Sequence, residues 1–181
     1  ESTGTSISIS ELHEDTSRRI ADGLFLNQLK EAISRTYNFY LAKFTNIFVN
    51  GEQIHGTEIS IGDNRASEQL VIGEVTCAIT AGIGVTNGGT FKDKSSGWFV
   101  FCNGRTVISA DKTTLTGWGT GPLGLPLYQP KHRAFVGTVF FVSNNSEALP
   151  WTTTKSGINE DSSVWQEAKR NMSVVGRQVI S

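Results

Sequence analysis

The chain has 181 residues, of which 38% are hydrophobic and 18% charged, enough for one domain of ordinary size or two small ones. Sixteen Lys and Arg against seventeen Asp and Glu leave a net charge of -1, so no broadly cationic surface favours nucleic-acid binding. No apolar run reaches the roughly 18 residues that a membrane-spanning helix needs. Cys77 and Cys102 lie in alternating apolar stretches, so we expect two buried free thiols in a cytoplasmic protein rather than a disulfide.

The N-terminal third predicts a strand, a polar connection and a long helix. Residues 5–10 alternate polar and apolar side chains as a strand does, and residues 13–19 are polar. Only four residues precede this strand and they form no leader, so we interpret the chain as a fragment of a larger protein. Asp22 is a typical N-cap, and the helix after it carries one apolar stripe: Leu26, Leu29, Ile33, Tyr37, Tyr40 and Phe44.

The middle of the chain is rich in predicted strands. Asn50-Gly51 predicts a tight hairpin turn between a strand at 46–49 and a return strand at 53–59. One long strand is expected near residues 69–84, and a second at 97–109 with a turn at Asn103-Gly104. The residues that would share one face of the first strand are Val71, Gly73, Val75, Cys77 and Ile79. Residues 86–90 would break it.

The last third predicts a shaped loop, a central strand and a helix. Residues 111–132 are rich in glycine and proline and lack a helical stripe. Residues 133–143 form an apolar run dense enough for a central strand, and 144–161 are polar and irregular. An apolar stripe that begins at Val164 predicts a C-terminal helix running to residue 181. The fold class is therefore predicted as α+β, a mixed β-sheet packed by two long helices.

Most chemical motifs are missing from the sequence. His13, His55 and His132 are isolated and lack metal-ligand spacing, so no metal site is expected. The glycines at 82–89 and 117–121 precede neither the Lys-Ser/Thr pair of a phosphate-binding loop nor a helix start, which favours turns or bulges. Without a Gly-x-Ser-x-Gly elbow, independent hydrolysis is not expected. The four tryptophans are interpreted as packing residues rather than base-stacking platforms.

Three stretches nevertheless resemble one family. They are Gly4-Thr5 with the apolar alternation after it, the aromatic run 99–102 that leads into Asn103-Gly104-Arg105, and the polar loop 150–157 that contains Lys155. In this order they resemble the ATPases that unite gyrase B, heat-shock-90 chaperones, histidine kinases and MutL, the GHKL superfamily, and the MutL type most closely.

The resemblance implies a division of labour along the chain. Residues 1–60 would be the end of the nucleotide-binding domain, 61–160 a transducer domain similar to domain 2 of ribosomal protein S5, and 161–181 a C-terminal helix. Gly4 and Thr5 would help to close an ATP pocket, and Lys155 would contact the γ-phosphate. ATP and Mg would be cofactors of the intact protein and not of this chain alone, because the family's Glu and Asn and its Asp-x-Gly-x-Gly motif are absent here.

The resemblance also departs from the family pattern in one place. The family usually has a helix between the Asn-Gly-Arg strand and the last strand, where this chain has the loop at 111–132. Three hypotheses follow. The first is a GHKL-type ATPase fragment that couples nucleotide state in an upstream ATP-binding domain to conformational change or homodimerisation. It would have no catalysis or membrane contact of its own, and nucleic acid is implied only by family analogy. The alternative is a protein- or nucleic-acid-interaction module with no nucleotide link. The third is a small enzyme that uses the glycine-rich loops.

Overall fold

The computed structural model describes residues 5–85 and 95–180, and the described residues form an α+β fold. Its centre is a five-stranded mixed sheet with the strand order β3-β4-β7-β5-β6, packed against helices, so the predicted fold class is confirmed. A separate two-stranded hairpin, β1-β2, lies beside it. The strands are β1 (Ile47–Val49), β2 (Glu52–Ile54), β3 (Ile61–Ile72), β4 (Val75–Gly84), β5 (Gly97–Cys102), β6 (Arg105–Asp111) and β7 (Phe135–Val142); the helices are α1 (Glu14–Ala21), α2 (Gly23–Thr36), α3 (Asn38–Lys43) and α4 (Ser163–Ile180).

Tight turns and one crossover set the sheet topology. β3-β4 and β5-β6 are antiparallel hairpins, and β7 inserts between them, antiparallel to β4 and parallel to β5. A parallel pair needs a long connection, and residues 112–134 supply it between β6 and β7. The apolar run predicted to be central does lie in the middle of the sheet, at β7.

The C-terminal helix covers one face of the sheet and completes the main core. Trp165, Ala168, Met172 and Val175 of α4 are buried, and they lie in one apolar cluster with inward-facing residues of β4, β5 and β7. Their three- and four-residue spacing is the stripe from which the helix was predicted. Burying such a face contributes about 25 cal/mol for each Å² of apolar surface, so α4 is fixed to the sheet by hydrophobic packing.

The opposite face of the sheet is covered less completely, by α3. Phe39 packs its ring 5.2 Å from that of Phe140 and 6.0 Å from that of Phe101, centroid to centroid. Phe101 and Phe140 stack on each other at 4.5 Å. Within the part of the chain that the structure describes, α1 and α2 bury none of their own residues. The second predicted long helix is therefore attached to the sheet mainly through its C-terminal end.

The long connection between β6 and β7 is ordered by an aromatic cluster. Trp118 is buried with its ring 5.1 Å from those of Tyr128 and Phe135. Buried His132 packs on the same indole, and its Nδ1 accepts a hydrogen bond from the backbone N–H of Gln129 at 3.1 Å. Burial, together with the nearby Lys131 ammonium, lowers the pKa of His132, so this imidazole is neutral at pH 7. The prediction of a shaped loop is confirmed.

Two predictions for the N-terminal residues are wrong. Residues 5–10 form no strand, because a polar–apolar alternation needs a neighbouring ladder and the described sheet offers none to this segment. The connection expected at 13–19 is the helix α1. Its charges suit a helix, with Glu14 and Asp15 in the first turn and Arg18 and Arg19 in the last, where each complements the helix dipole.

Two further elements are divided where the sequence predicts continuity. The long strand at 69–84 is the hairpin β3-β4, and Gly73 occupies its turn with φ +59° rather than a strand face. The helix from Asp22 is capped as predicted, with Asp22 Oδ1 accepting from the N–H of Leu24, but it breaks at Tyr37 into α2 and α3. Aromatic and β-branched residues around this break have weak helix propensity. At this break the Oδ1 of Asn38 accepts a hydrogen bond from the backbone N–H of Thr57.

The return strand expected at 53–59 is shorter than predicted, since β2 ends at Ile54. The break expected at 86–90 lies outside the described residues, as does the predicted site residue Gly4. A search of the described helices for a segment long and apolar enough to cross a membrane found none.

Candidate functional site

The turn between β5 and β6 is the centre of the candidate site. Asn103 and Gly104 have φ values of +46° and +78°, the left-handed pair that the Asn-Gly sequence predicts for a tight hairpin. The Asn103 side chain bridges to Ser143, just beyond β7: its Nδ2 donates to the Ser143 carbonyl at 2.9 Å and its Oδ1 accepts from the Ser143 N–H at 3.1 Å. The turn is thereby fixed to the end of the central strand.

The same turn contacts α3. Tyr40 donates its hydroxyl hydrogen to the Asn103 carbonyl at 2.6 Å, and its ring lies next to Gly104. A Cβ atom at Gly104 would come within 2.6 Å of the Tyr40 ring. Glycine is therefore required here for two reasons, the positive φ and the close approach of the ring.

Arg105, the third residue of Asn103-Gly104-Arg105, contacts the loop that carries Lys155. Its Nε donates to the Lys155 carbonyl at 3.1 Å, and its guanidinium carbon lies 5.8 Å from the centroid of the Tyr37 ring. Two of the three stretches on which the family resemblance rests are thus in direct contact. The separation of 50 residues in sequence gave no sign of this pairing.

Lys155 occupies an exposed, tightly turned position. Its φ is +55°, and its backbone N–H donates to the Thr152 carbonyl at 2.8 Å. Its ammonium lies 4.7 Å from the centroid of the Trp151 ring, within range of a cation–π interaction. Trp151 itself is fixed by a hydrogen bond from its indole N–H to the Ser146 carbonyl at 2.8 Å. The lysine is therefore held at its base and along its side, while its ammonium hydrogens remain available to a ligand.

A cavity of about 280 Å³ lies beside this loop, between the C-terminal end of α2 and strand β6. Three cationic residues line it: Arg35, Arg105 and Lys155. Thr106, Ser109 and Ser156 are among its other lining residues, and no acidic residue of the described chain lines it. Such a cavity suits an anion. It offers no carboxylate for Mg²⁺, which prefers oxygen ligands.

The structure does not bring the other predicted site residue to this cavity. Thr5 is exposed, lies outside any helix or strand and is not among the lining residues. Its predicted role at an ATP pocket stays a prediction, as does that of Gly4. Sequence reasoning missed Arg35, because a single arginine on the polar side of a predicted amphipathic helix has no distinguishing pattern.

Metal chemistry finds no support in the described ranges 5–85 and 95–180, where no group of three or more His, Cys, Asp or Glu side chains is placed to hold an ion. Comparison of the chain with protein-family models, with curated proteins and with solved structures found no match. The family resemblance therefore rests on the sequence motifs alone.

Proposed function

We propose that this chain is the coupling part of a GHKL-type ATPase, in which Lys155 contacts the γ-phosphate of ATP held by an upstream domain in the cytoplasm. The observation that carries the proposal is the contact made by Asn103-Gly104-Arg105. This one turn binds Tyr40 of α3, the end of β7 and the Lys155 loop. A displacement of the loop by a phosphate would therefore act on α3 and on the sheet at the same point.

The residues of this chain would do three things in that role. Lys155 would bind an oxygen of the γ-phosphate as a point charge. Because only the triphosphate has this group, the contact would distinguish a triphosphate from a diphosphate. Arg105 would transmit the position of the loop to the turn, and Tyr40 would transmit it to α3. ATP when bound would supply the phosphate charge, and ordering by a terminal phosphate is a known type of conformational switch.

Exposed apolar residues on the N-terminal helices support the presence of a further domain packed against them. Ile20 and Leu24, on consecutive helices, are 43% and 64% exposed. Leu29, on the predicted apolar stripe of α2, is also exposed. Apolar residues on adjacent helices favour a partner surface. In the proposal that partner is the upstream ATP-binding domain of the same chain.

The same exposed residues also favour the alternative function, a protein-interaction module with no nucleotide link. The two candidates differ in what precedes residue 1. A carboxylate-bearing helix and an Asp-x-Gly-x-Gly run in an upstream segment of the natural protein would support the ATPase, whereas an upstream segment without them would favour the interaction module.

The direct test is Lys155→Ala in the protein that carries the upstream domain. We expect ATP turnover to fall about tenfold to a hundredfold, the effect of losing one charge-assisted contact worth about 1.5–3 kcal/mol. ADP affinity should be nearly unchanged, because ADP lacks the γ-phosphate. Steady-state ATP hydrolysis and an ADP titration measure the two quantities.

Lys131→Ala is the matched control, since Lys131 is also an exposed lysine, in the short 3-10 helix Pro130–His132, but lies at the opposite end of β7. We expect it to retain wild-type turnover. Wild-type turnover by Lys155→Ala would contradict the assignment and leave Lys155 as a surface residue packed on Trp151.

A further inference from the structure

The three cations of the cavity between α2 and β6 come from three separate elements. Arg35 is on α2, Arg105 begins β6, and Lys155 is in the loop after β7. Like charges that share a small cavity repel one another, and the repulsion grows as water is excluded. In the described part of the chain no acidic residue lines the cavity to offset it. An anion between them would remove this cost.

Hydrogen-bond donors remain available at the same place. The Arg35 side chain makes no hydrogen bond or ion pair with any described residue, and Arg105 uses its Nε for the Lys155 carbonyl, leaving its terminal nitrogens without a described partner. A guanidinium group presents five N–H donors in a fixed plane that matches the oxygens of carboxylates and phosphates. The cavity therefore combines positive charge with donors that the fold does not use.

Thr106 gives a second and independent indication of a ligand. Its Oγ1 is buried and has no hydrogen-bond partner in residues 5–85 and 95–180. Thr106 lines this cavity and also the neighbouring cavity of about 500 Å³ beneath α2, and Arg35 and Ser109 line both as well. An unpaired buried hydroxyl costs about 1–3 kcal/mol, and an oxyanion in the cavity would provide its acceptor once the Thr106 side chain rotates toward it.

We propose that this cavity is a binding site for a phosphate-type oxyanion, held by Arg35, Arg105 and Lys155 with the Thr106 hydroxyl. A tetrahedral dianion can accept from donors on three sides, whereas a planar carboxylate matches one guanidinium fork. At about 280 Å³ the cavity lies near the lower end of the range for small-molecule sites, which favours a small anion or the terminal group of a larger molecule. The inference goes beyond the proposed function, because every group that it uses belongs to this chain and no ATP-binding domain is required.

The bound anion would also join α2 to the sheet. Described contacts hold α2 weakly: it buries none of its own residues, and one of its anchors is the hydrogen bond from the Ser34 hydroxyl to the His55 carbonyl. An anion shared by Arg35 of α2 and Arg105 of β6 would add a contact between the two elements. Binding to the folded state stabilises a protein by mass action, so the melting temperature should rise with anion concentration.

The test is a calorimetric titration of the 181-residue chain with inorganic phosphate and, in a second arm, with ATP, both at constant ionic strength set by chloride. We expect saturable binding of one stoichiometric equivalent of inorganic phosphate. Tighter binding of ATP would identify a terminal phosphate of a larger molecule as the preferred ligand, whereas equal binding would identify the free anion. The wild-type melting temperature should rise with phosphate and stay constant with chloride.

Three variants separate the site from general electrostatics. Arg35→Gln should weaken phosphate binding about tenfold, because it removes one charge-assisted contact at an exposed residue without a described structural partner. Thr106→Val, which keeps the shape and removes the hydroxyl, should weaken it severalfold with no loss of melting temperature. Lys131→Gln changes the net charge by the same amount as Arg35→Gln and should leave the affinity within a factor of two.

The inference is overturned if phosphate shows no saturable binding, or if Lys131→Gln weakens binding as much as Arg35→Gln does. Either result is independent of the proposed ATPase role, which the turnover of Lys155→Ala tests in the intact protein. If phosphate does not bind but Lys155→Ala loses ATP turnover, the coupling function is supported and the anion site is not. If phosphate binds but Lys155→Ala keeps wild-type turnover, the anion site is supported and the coupling function is not.

Discussion

At the scale of single residues, Tyr40 determines what the turn at Gly104 can accommodate. Gly51 and Gly104 follow an asparagine in the same type of turn, with φ of +80° and +78°. They differ in their surroundings: a Cβ at Gly104 would come within 2.6 Å of Tyr40, whereas no described atom lies within 4 Å of a Cβ at Gly51. The pair therefore separates backbone strain from steric contact.

We expect Gly51→Ala to lower the free energy of unfolding by about 1–2 kcal/mol, the cost of a left-handed conformation for a residue with a Cβ. Gly104→Ala should lower it by a further 1–3 kcal/mol, roughly the cost of overpacking, because the Tyr40 ring must move. Urea unfolding of both variants measures the difference. Equal losses would show that Tyr40 yields freely and that its contact with the turn does not hold α3.

The residues of the candidate site were predictable only in part. The Asn-Gly pairs predict both turns, because few other sequences tolerate positive φ at two consecutive positions, and the resemblance pointed to Lys155. Arg35 and Thr106 could not be found in the same way. Their importance comes from the cavity that α2 and β6 form together, and neither residue belongs to a short-range pattern.

At the scale of elements, α3 is attached to the sheet through one aromatic side chain above all. The ring of Phe39 contacts both Phe101 of β5 and Phe140 of β7, and the hydroxyl of Tyr40 adds one hydrogen bond. Phe44, which follows the same helix, is 70% exposed. Phe39 and Phe44 therefore form a matched pair of one chemical type in different environments.

We expect Phe39→Ala to lower the free energy of unfolding by about 2 kcal/mol, less than the 3–5 kcal/mol of a fully buried phenylalanine because Phe39 is half-buried. Phe44→Ala should cost less than about 1 kcal/mol. Chemical denaturation of both variants gives the comparison. An equal cost for the two would mean that α3 docks through its backbone or through Tyr40 instead.

The elements that the sequence predicted best are those whose own residues bury them. Strand β7 and helix α4 carry continuous or regularly spaced apolar residues, and the sheet and its core cluster use those residues. The prediction of a strand at residues 5–10 was wrong because alternating polar and apolar residues indicate two different faces but do not supply the neighbouring strand with which a strand must pair. The break at Tyr37 was missed because the apolar stripe continues through it, and the hydrogen bond there between Asn38 and Thr57 joins residues that no local pattern pairs.

At the scale of the whole molecule, the two cysteines report on the cohesion of the sheet. Cys77 on β4 and Cys102 on β5 are both buried, unpaired and separated by β7, where both are in register with Phe141. Burial raises the pKa of each thiol to about 12, with a smaller contribution from Glu68 at Cys77 and from Cys77 at Cys102. Since the thiolate is the reactive species, both thiols should be inert at pH 8 while the sheet is closed.

In the unfolded chain the same thiols have an ordinary pKa of about 8.5 and react readily. We therefore expect each thiol to be labelled by a disulfide reagent only through opening of the sheet. The variants Cys77→Ala and Cys102→Ala each leave one cysteine, whose labelling rate gives a free energy of opening. If the domain unfolds as one unit, this value should agree within about 0.5 kcal/mol with the free energy of unfolding that urea gives for the same variant. A thiol that is labelled with a much smaller opening free energy than its variant's unfolding value would show that β3-β4 and β5-β6 separate from β7 independently. The proposed coupling function, in which a displacement passes from the Lys155 loop to α3, requires the opposite, because a sheet that opens in parts would absorb the movement.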